Sequence, residues 1–234
     1  MNLLALDTSS NACSVALRIG DDVSALHDVQ PKQHTRILVP MVTSLLSDAG
    51  VSLGDLAAVV LGNGPGSFIG MRIAASVAQG LAYGSGLKIV PVSSMAAVAA
   101  EVMDRYSAAR VVVAQDARMN EAYLGIYRDD GNGRPVAVSE ERLQPMDVIE
   151  GLAAEQGSAI VAAGQAWQKY PALLNLNRDA ISKLADVQYP NATYLLGLGA
   201  AGLREGAAIE PDRLAPAYIR ERVAQGSPPL TCRR

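Results

Sequence analysis

At 234 residues, half of them hydrophobic, the chain has enough apolar surface to bury one large core or two modest ones, which excludes disorder of the bulk. Twenty basic residues against twenty-three acidic ones give a net charge of −3 with no Lys/Arg block, so autonomous nucleic-acid binding is disfavoured. Two cysteines, Cys13 and Cys232, make no disulfide framework and fit a reducing cytoplasm, the opening MNLLALDTSS lacks the cationic start of a signal peptide, and no apolar run reaches membrane-spanning length.

LLALDTS (3–9), ACSVALRIG (12–20) and DVSALHDV (22–29) are β-prone runs joined by turns too short for helical crossovers, which predicts three antiparallel strands. In TRILVPMVTSLLSDAG (35–50) the residues Leu38, Met41, Val42, Leu45, Leu46 and Ala49 recur at helical spacing, with Thr35 as the expected N-cap and Gly50 as the stop. Pro40 inside this helix removes one backbone hydrogen bond. LAAVVLG (56–62) and KIVPVS (88–93) read as buried parallel strands flanking a Gly-rich loop and an Ala-rich helix, and SMAAVAAEVMDRY (94–106) as one more helix.

The second half repeats the plan. RVVVAQDA (110–117), EAYLGIYR (121–128) and RPVAVSEE (134–141) are again strands with short turns. A helix opened by Pro145, a strand SAIVAAG (158–164), an irregular stretch holding the tryptophan, and a helix NATYLLGLGAAGLREG (191–206) are expected to follow. In both halves the first strand ends in an acid, Asp7 and Asp116, facing each other across a cleft in this reading; the alternative is that each acid only caps a turn. The layout is that of an α/β protein with two tandem actin-like (RNase H-like, βββαβα) subdomains of the sugar kinase, actin and chaperone ATPase superfamily. The expected limits are 1–106, 107–220 and a flexible tail at 221–234.

The loop GNGPGSFIGMRI (62–73) invites a phosphate reading, and three patterns test it. A Walker A loop needs a lysine, and none is present; a dinucleotide fingerprint needs a third glycine where Ser67 stands; a nucleophile elbow needs glycines where Pro65 and Ile69 stand. An anion at the helix N-terminus near Ser67 competes with glycines that serve only turning and close backbone approach, and the lone cation, Arg72, favours the second. With His27 and His34 as the histidine complement, a three-ligand zinc site has too few imidazoles; His34 reads as a helix-entry residue and Cys13 as a small core residue.

LLALDTSSNACSVAL, GNGPGSFIGMRIAASVAQGLA, DARMNEAYLGIY and LAPAYIRERVA together resemble, in order and spacing, the bacterial TsaB (YeaZ) family. The resemblance implies a noncatalytic paralogue of TsaD, the enzyme of N6-threonylcarbamoylation of adenosine 37 in tRNAs reading ANN codons. It also implies a heterodimer with TsaD, a larger assembly with TsaE, a homodimer when alone, and tRNA contact only through the complex. Where TsaD carries a metal-binding His pair, Ser94 and Val98 stand here, so neither a metal nor the peptidase chemistry of the M22 family is expected. No cofactor is expected; Asp7, Thr8 and Asp116 are weak nucleotide-binding candidates, which an alternative reading as an ATP-binding phosphotransferase or ATPase would use. Helix-to-helix packing against the partner points to Arg36, Val39, Thr43, Phe68, Gly70, Ala74 and Ala78 as an interface.

Overall fold

The run LLALD pairs along both edges, which fixes it at the centre of a sheet. In the computed structural model, which describes residues 1–152 and 159–220, β1 (Leu3–Asp7) runs antiparallel to β2 (Cys13–Ile19) and parallel to β4 (Ala58–Gly62), with Ala5 opposite both Ala16 and Val60. β3 (Asp22–Asp28) and β5 (Ile89–Val92) complete a mixed sheet of order β3-β2-β1-β4-β5. The second sheet repeats this order around β6 (Arg110–Arg118). β7 (Glu121–Asp129) and β8 (Pro135–Ala137) lie antiparallel on one side of it, and β10 (Ile160–Ala163) and β11 (Ile181–Leu184) parallel on the other. Two tandem actin-like units are therefore observed, as the sequence predicts.

Strand periodicity builds the layers. Leu4 and Leu6 point outward beneath α1 (His34–Asp48) and α2 (Phe68–Ser85), joining Leu38, Val42, Ala74 and Ala78. Leu3 and Ala5 point the other way, against Leu195 and Leu196 of α6 (Ala192–Arg204). α3 (Ser94–Tyr106) lines the inner face of the second sheet through Met95, Val98 and Val102, and α4 (Gln165–Lys169) and α5 (Pro171–Leu176) cover its outer face through Trp167 and Leu173. α3 and α6 also pack on each other, so they are the shared middle layer. The expected limit at 106/107 separates the strands of the two sheets, but the helices cross it: α3 serves the second sheet and α6 the first.

Several local expectations are corrected. α1 begins at His34 after Gln33, so Thr35 lies in the first turn and is not the cap; Pro40 sits within the helix. RPVAVSEE yields only the three residues of β8, and an unforeseen strand β9 (Arg142–Pro145) pairs with β7. Pro145 ends that strand, and residues 146–152 are non-helical, so the helix expected there is absent from the described residues. The stretch around Trp167, read as irregular, holds α4, α5 and β11. The tail expected at 221–234, with Cys232, lies outside the described residues. No helix among those described is long and apolar enough to cross a membrane.

Candidate functional site

β1 and β6 both end near a cleft, but the expected pair of facing acids is not found: Asp116 lines the cleft, whereas Asp7 is buried beneath the Gly-rich loop. Asp7 is only 1% exposed. Its Oδ1 accepts from Ser9 N and Ser9 Oγ, both at 2.8 Å, and its Oδ2 accepts from Ser94 Oγ at 2.5 Å. Burial pushes its carboxyl above the ordinary aspartate range, against the pull of the Ser94 and Ser9 donors. Ser94 in turn accepts from Gly64 N at 3.0 Å and donates its own N–H to Gly64 O at 2.8 Å. The serine that stands where the resemblance to TsaD would put a histidine is thus the donor that completes the Asp7 shell.

The Gly-rich loop is shaped by these contacts. A Cβ on Gly62 would lie 1.9 Å from Asp7 Oδ2, and one on Gly70 would lie 1.9 Å from Thr8 O. Thr8 Oγ1 donates to Gly70 O at 2.7 Å, Ser67 N to Ser9 O at 2.6 Å, and His34 Nε2 to Ser10 O at 2.8 Å. The loop, the first turn of α2 and the start of α1 are therefore clamped onto the β1–β2 turn, with glycine where backbone meets backbone. Gly70→Ala is expected to destabilise by about 1–3 kcal/mol through overpacking, despite alanine's better helix propensity. Denaturant unfolding followed by circular dichroism checks this.

Asp116 lines the cleft but is also engaged. Lys169 Nζ pairs with Oδ2, while Tyr170 Oη at 2.8 Å and Arg118 N at 2.9 Å donate to Oδ1. Partial burial pushes this carboxyl up, yet Lys169, the Arg118 N–H and Tyr170 together hold it below the usual aspartate range. The polar end of the cleft is a cavity of about 360 Å³ touched by Ser9, Asn11, Ser67, Gln115, Asp116 and Lys169. It adjoins a more apolar one of about 370 Å³ walled by Phe68, Met71, Tyr123 and Tyr218. Asp7 borders neither. Among the described residues no three His, Cys, Asp or Glu side chains converge to hold a metal, and burial pushes the Cys13 thiol up to about 12, which leaves it unreactive.

The interface candidates divide. Gly70, Ala74 and Ala78 are buried in the first core, so they are corrected from partner-facing to self-packing residues. Phe68 is half-buried, 3.7 Å beneath the Arg72 guanidinium and 5.4 Å from the Tyr218 ring. Arg36, Val39 and Thr43 are exposed on the outer face of α1. On α2 the outer stripe is Ile69 (69% exposed), Arg72, Ser76, Gly80, Tyr83 (81%) and Gly84, most of which the sequence reading passed over. The available signal was the complement of the buried period, and a helix rich in small residues obscures which stripe is inward.

The family model described as TsaD, tRNA N6-adenosine threonylcarbamoyltransferase, matches residues 28–226. The tRNA threonylcarbamoyladenosine biosynthesis protein TsaB of Escherichia coli K12 is 34% identical over 224 residues, covering 96% of each chain. The chain belongs to the TsaB (YeaZ) family. The TsaB protein of Haemophilus influenzae is 33% identical over 232 residues, covering 95% of each. The solved structure of YeaZ from Pseudomonas aeruginosa superposes with a TM-score of 0.86 at 34% identity, over 93% of this chain and 99% of that one. With identity at this level along nearly the whole length, family membership extends over both sheets and the loop between them.

Proposed function

We propose that the protein is a noncatalytic partner of TsaD in N6-threonylcarbamoylation of adenosine 37 of tRNA, acting in the cytoplasm through a heterodimer. The relatives' role in threonylcarbamoyladenosine biosynthesis supports the pathway. The outer stripe of α1 and α2 supports the mode of action. Gly80 and Gly84 are exposed within α2, and a Cβ on either would meet nothing within 4 Å. Gly80 stands mid-helix, where an exposed glycine costs up to about 1 kcal/mol relative to alanine, and no neighbour in the isolated chain requires its missing side chain. A helix of a partner passing closely over Ser76, Gly80 and Gly84, with Tyr83 and Ile69 as apolar anchors, accounts for both glycines. In this reading the same face self-associates when the partner is absent, TsaE joins a larger assembly, and tRNA is held through the complex.

A nucleotide enzyme built on Asp7 and Asp116 finds less support, because Asp7 is sealed under the loop and Asp116 is bound to Lys169. Reconstitution of tRNA modification from purified TsaD, with the protein omitted or supplied, tests the proposal: activity should require it. Activity that survived its omission would refute the partner role, and submillimolar ATP binding by the isolated chain, abolished by Asp116→Ala, would favour the enzyme.

A further inference from the structure

We propose that residues 205–220 act as a latch that sets the aperture of the cleft between the two sheets, fastened to the second sheet by Ile219 and Arg220. The segment leaves α6, turns at Gly206, and grips the first half at successive points. Ile209 exchanges backbone hydrogen bonds with Ile89 at 2.8 and 2.9 Å, and Gln79 Nε2 donates to Pro211 O at 2.8 Å. Asn63 then holds it from both sides, its Nδ2 donating to Ala215 O at 3.0 Å and its carbonyl accepting from Ala217 N at 3.2 Å. Tyr218 lies against Phe68 and accepts from Arg72 Nε at 2.9 Å. At its root, beside the end of α6, Glu205 pairs with Arg134 next to β8; from Ile209 to Tyr218 the fastenings are on the first half.

The next two residues cross to the other wall. Ile219 packs against the core that holds Tyr123 and Tyr127, and Arg220 Nη2 donates to Ala117 O at 3.0 Å and pairs with Glu121 Oε2 at 2.6 Å. The Arg220 side chain is only 14% exposed, so its fork is partly desolvated and each bond is correspondingly strong. Its target is the tip of the β6–β7 hairpin, where Arg118, Met119 and Asn120 all take left-handed backbone (φ 61°, 53° and 59°). Arg118 borders both cavities of the cleft, and Tyr218 and Arg220 line the apolar one. The far side of the cleft is held by the α3–α6 layer, for instance by Tyr194 Oη donating to Asp104 at 3.0 Å. That layer is a natural hinge line, and the segment ending at Arg220 bridges the mouth opposite it.

The latch is independent of any partner, so it is tested on the isolated full-length chain. Spin labels at Asn11→Cys and Gln168→Cys, in a Cys232→Ser background, report the distance across the cleft by pulsed electron resonance; Asn11 lies on the first wall, Gln168 is exposed on α4, and native Cys13 is buried. The double variant Ile219→Ala/Arg220→Ala is expected to lengthen and broaden this distance, and Arg220→Ala alone to do so to a lesser degree. Lys88→Ala, which breaks the more exposed pair with Glu210 within the first half, should leave it unchanged. Should the double variant not fold, Arg220→Ala carries the test. Distance distributions that superimpose on the parent's, or that shift as much in Lys88→Ala, would overturn the latch.

Discussion

Asp7→Ala is expected to cost about 3 kcal/mol of stability, because it strands three buried donors at once: Ser9 N–H, Ser9 O–H and Ser94 O–H. Each buried group left unsatisfied costs roughly 1–3 kcal/mol, and the two hydroxyls recover part of that by rotating. The loss should spread to the loop, since Ser94 also accepts from Gly64 N. Asp7→Asn keeps an acceptor for the two Ser9 donors and should lose less. Its pH dependence separates the two roles of the carboxyl. Burial raises the Asp7 pKa, so the folded protein binds more protons than the unfolded one above the ordinary value of 3.8. Stability contributed by this group is therefore present below that value and is lost as pH rises through the raised one. Asparagine has nothing to ionise there, so the wild type's advantage over Asp7→Asn should shrink as pH climbs from about 4. Urea unfolding of both proteins across that range measures it; an advantage that grew with pH would mean the donors, not burial, govern the carboxyl.

The duplicated plan was legible because Leu3 to Asp7 and Arg110 to Ala117 each open a hairpin of β-prone runs, and periods of two and 3.6 survive in long elements. What failed was short or context-bound. Ile181–Leu184 is a four-residue edge strand and Gln165–Lys169 barely a turn and a half, too brief for any period to register. Asp7 could be recognised as a strand-end acid, but not as a sealed one, because its third donor, Ser94, lies 87 residues further on. The same limit hid which face these residues serve: Gly70, Ala74 and Ala78 look ready for close helix approach, and what they meet is Thr8 and the protein's own sheet. Asn120 at the hairpin tip takes left-handed backbone at φ 59°, a geometry that asparagine tolerates better than most residues.

Gly80→Arg should leave the chain folded, and slightly more stable, while strongly weakening the association with TsaD proposed above. The two halves of this expectation come from one observation, the open space over Gly80 within a regular helix. Filling it harms nothing in the isolated chain, and replacing a mid-helix glycine gains up to about 1 kcal/mol. A partner helix that uses the same space meets a long charged side chain instead, and an anchor-scale loss of about 2 kcal/mol or more corresponds to roughly thirty-fold or greater weakening. Tyr83→Asp, at a site 81% exposed, should weaken association in the same way without touching the core. Gly70→Ala offers the contrast within one helix, since there the added methyl meets Thr8 O and the cost appears in the isolated chain. Thermal unfolding paired with size-exclusion chromatography against TsaD reads both quantities. Gly80→Arg that co-eluted with TsaD as the parent does would remove the outer face of α2 from the interface, whereas loss of binding together with loss of folding would show that Gly80 serves the chain's own core.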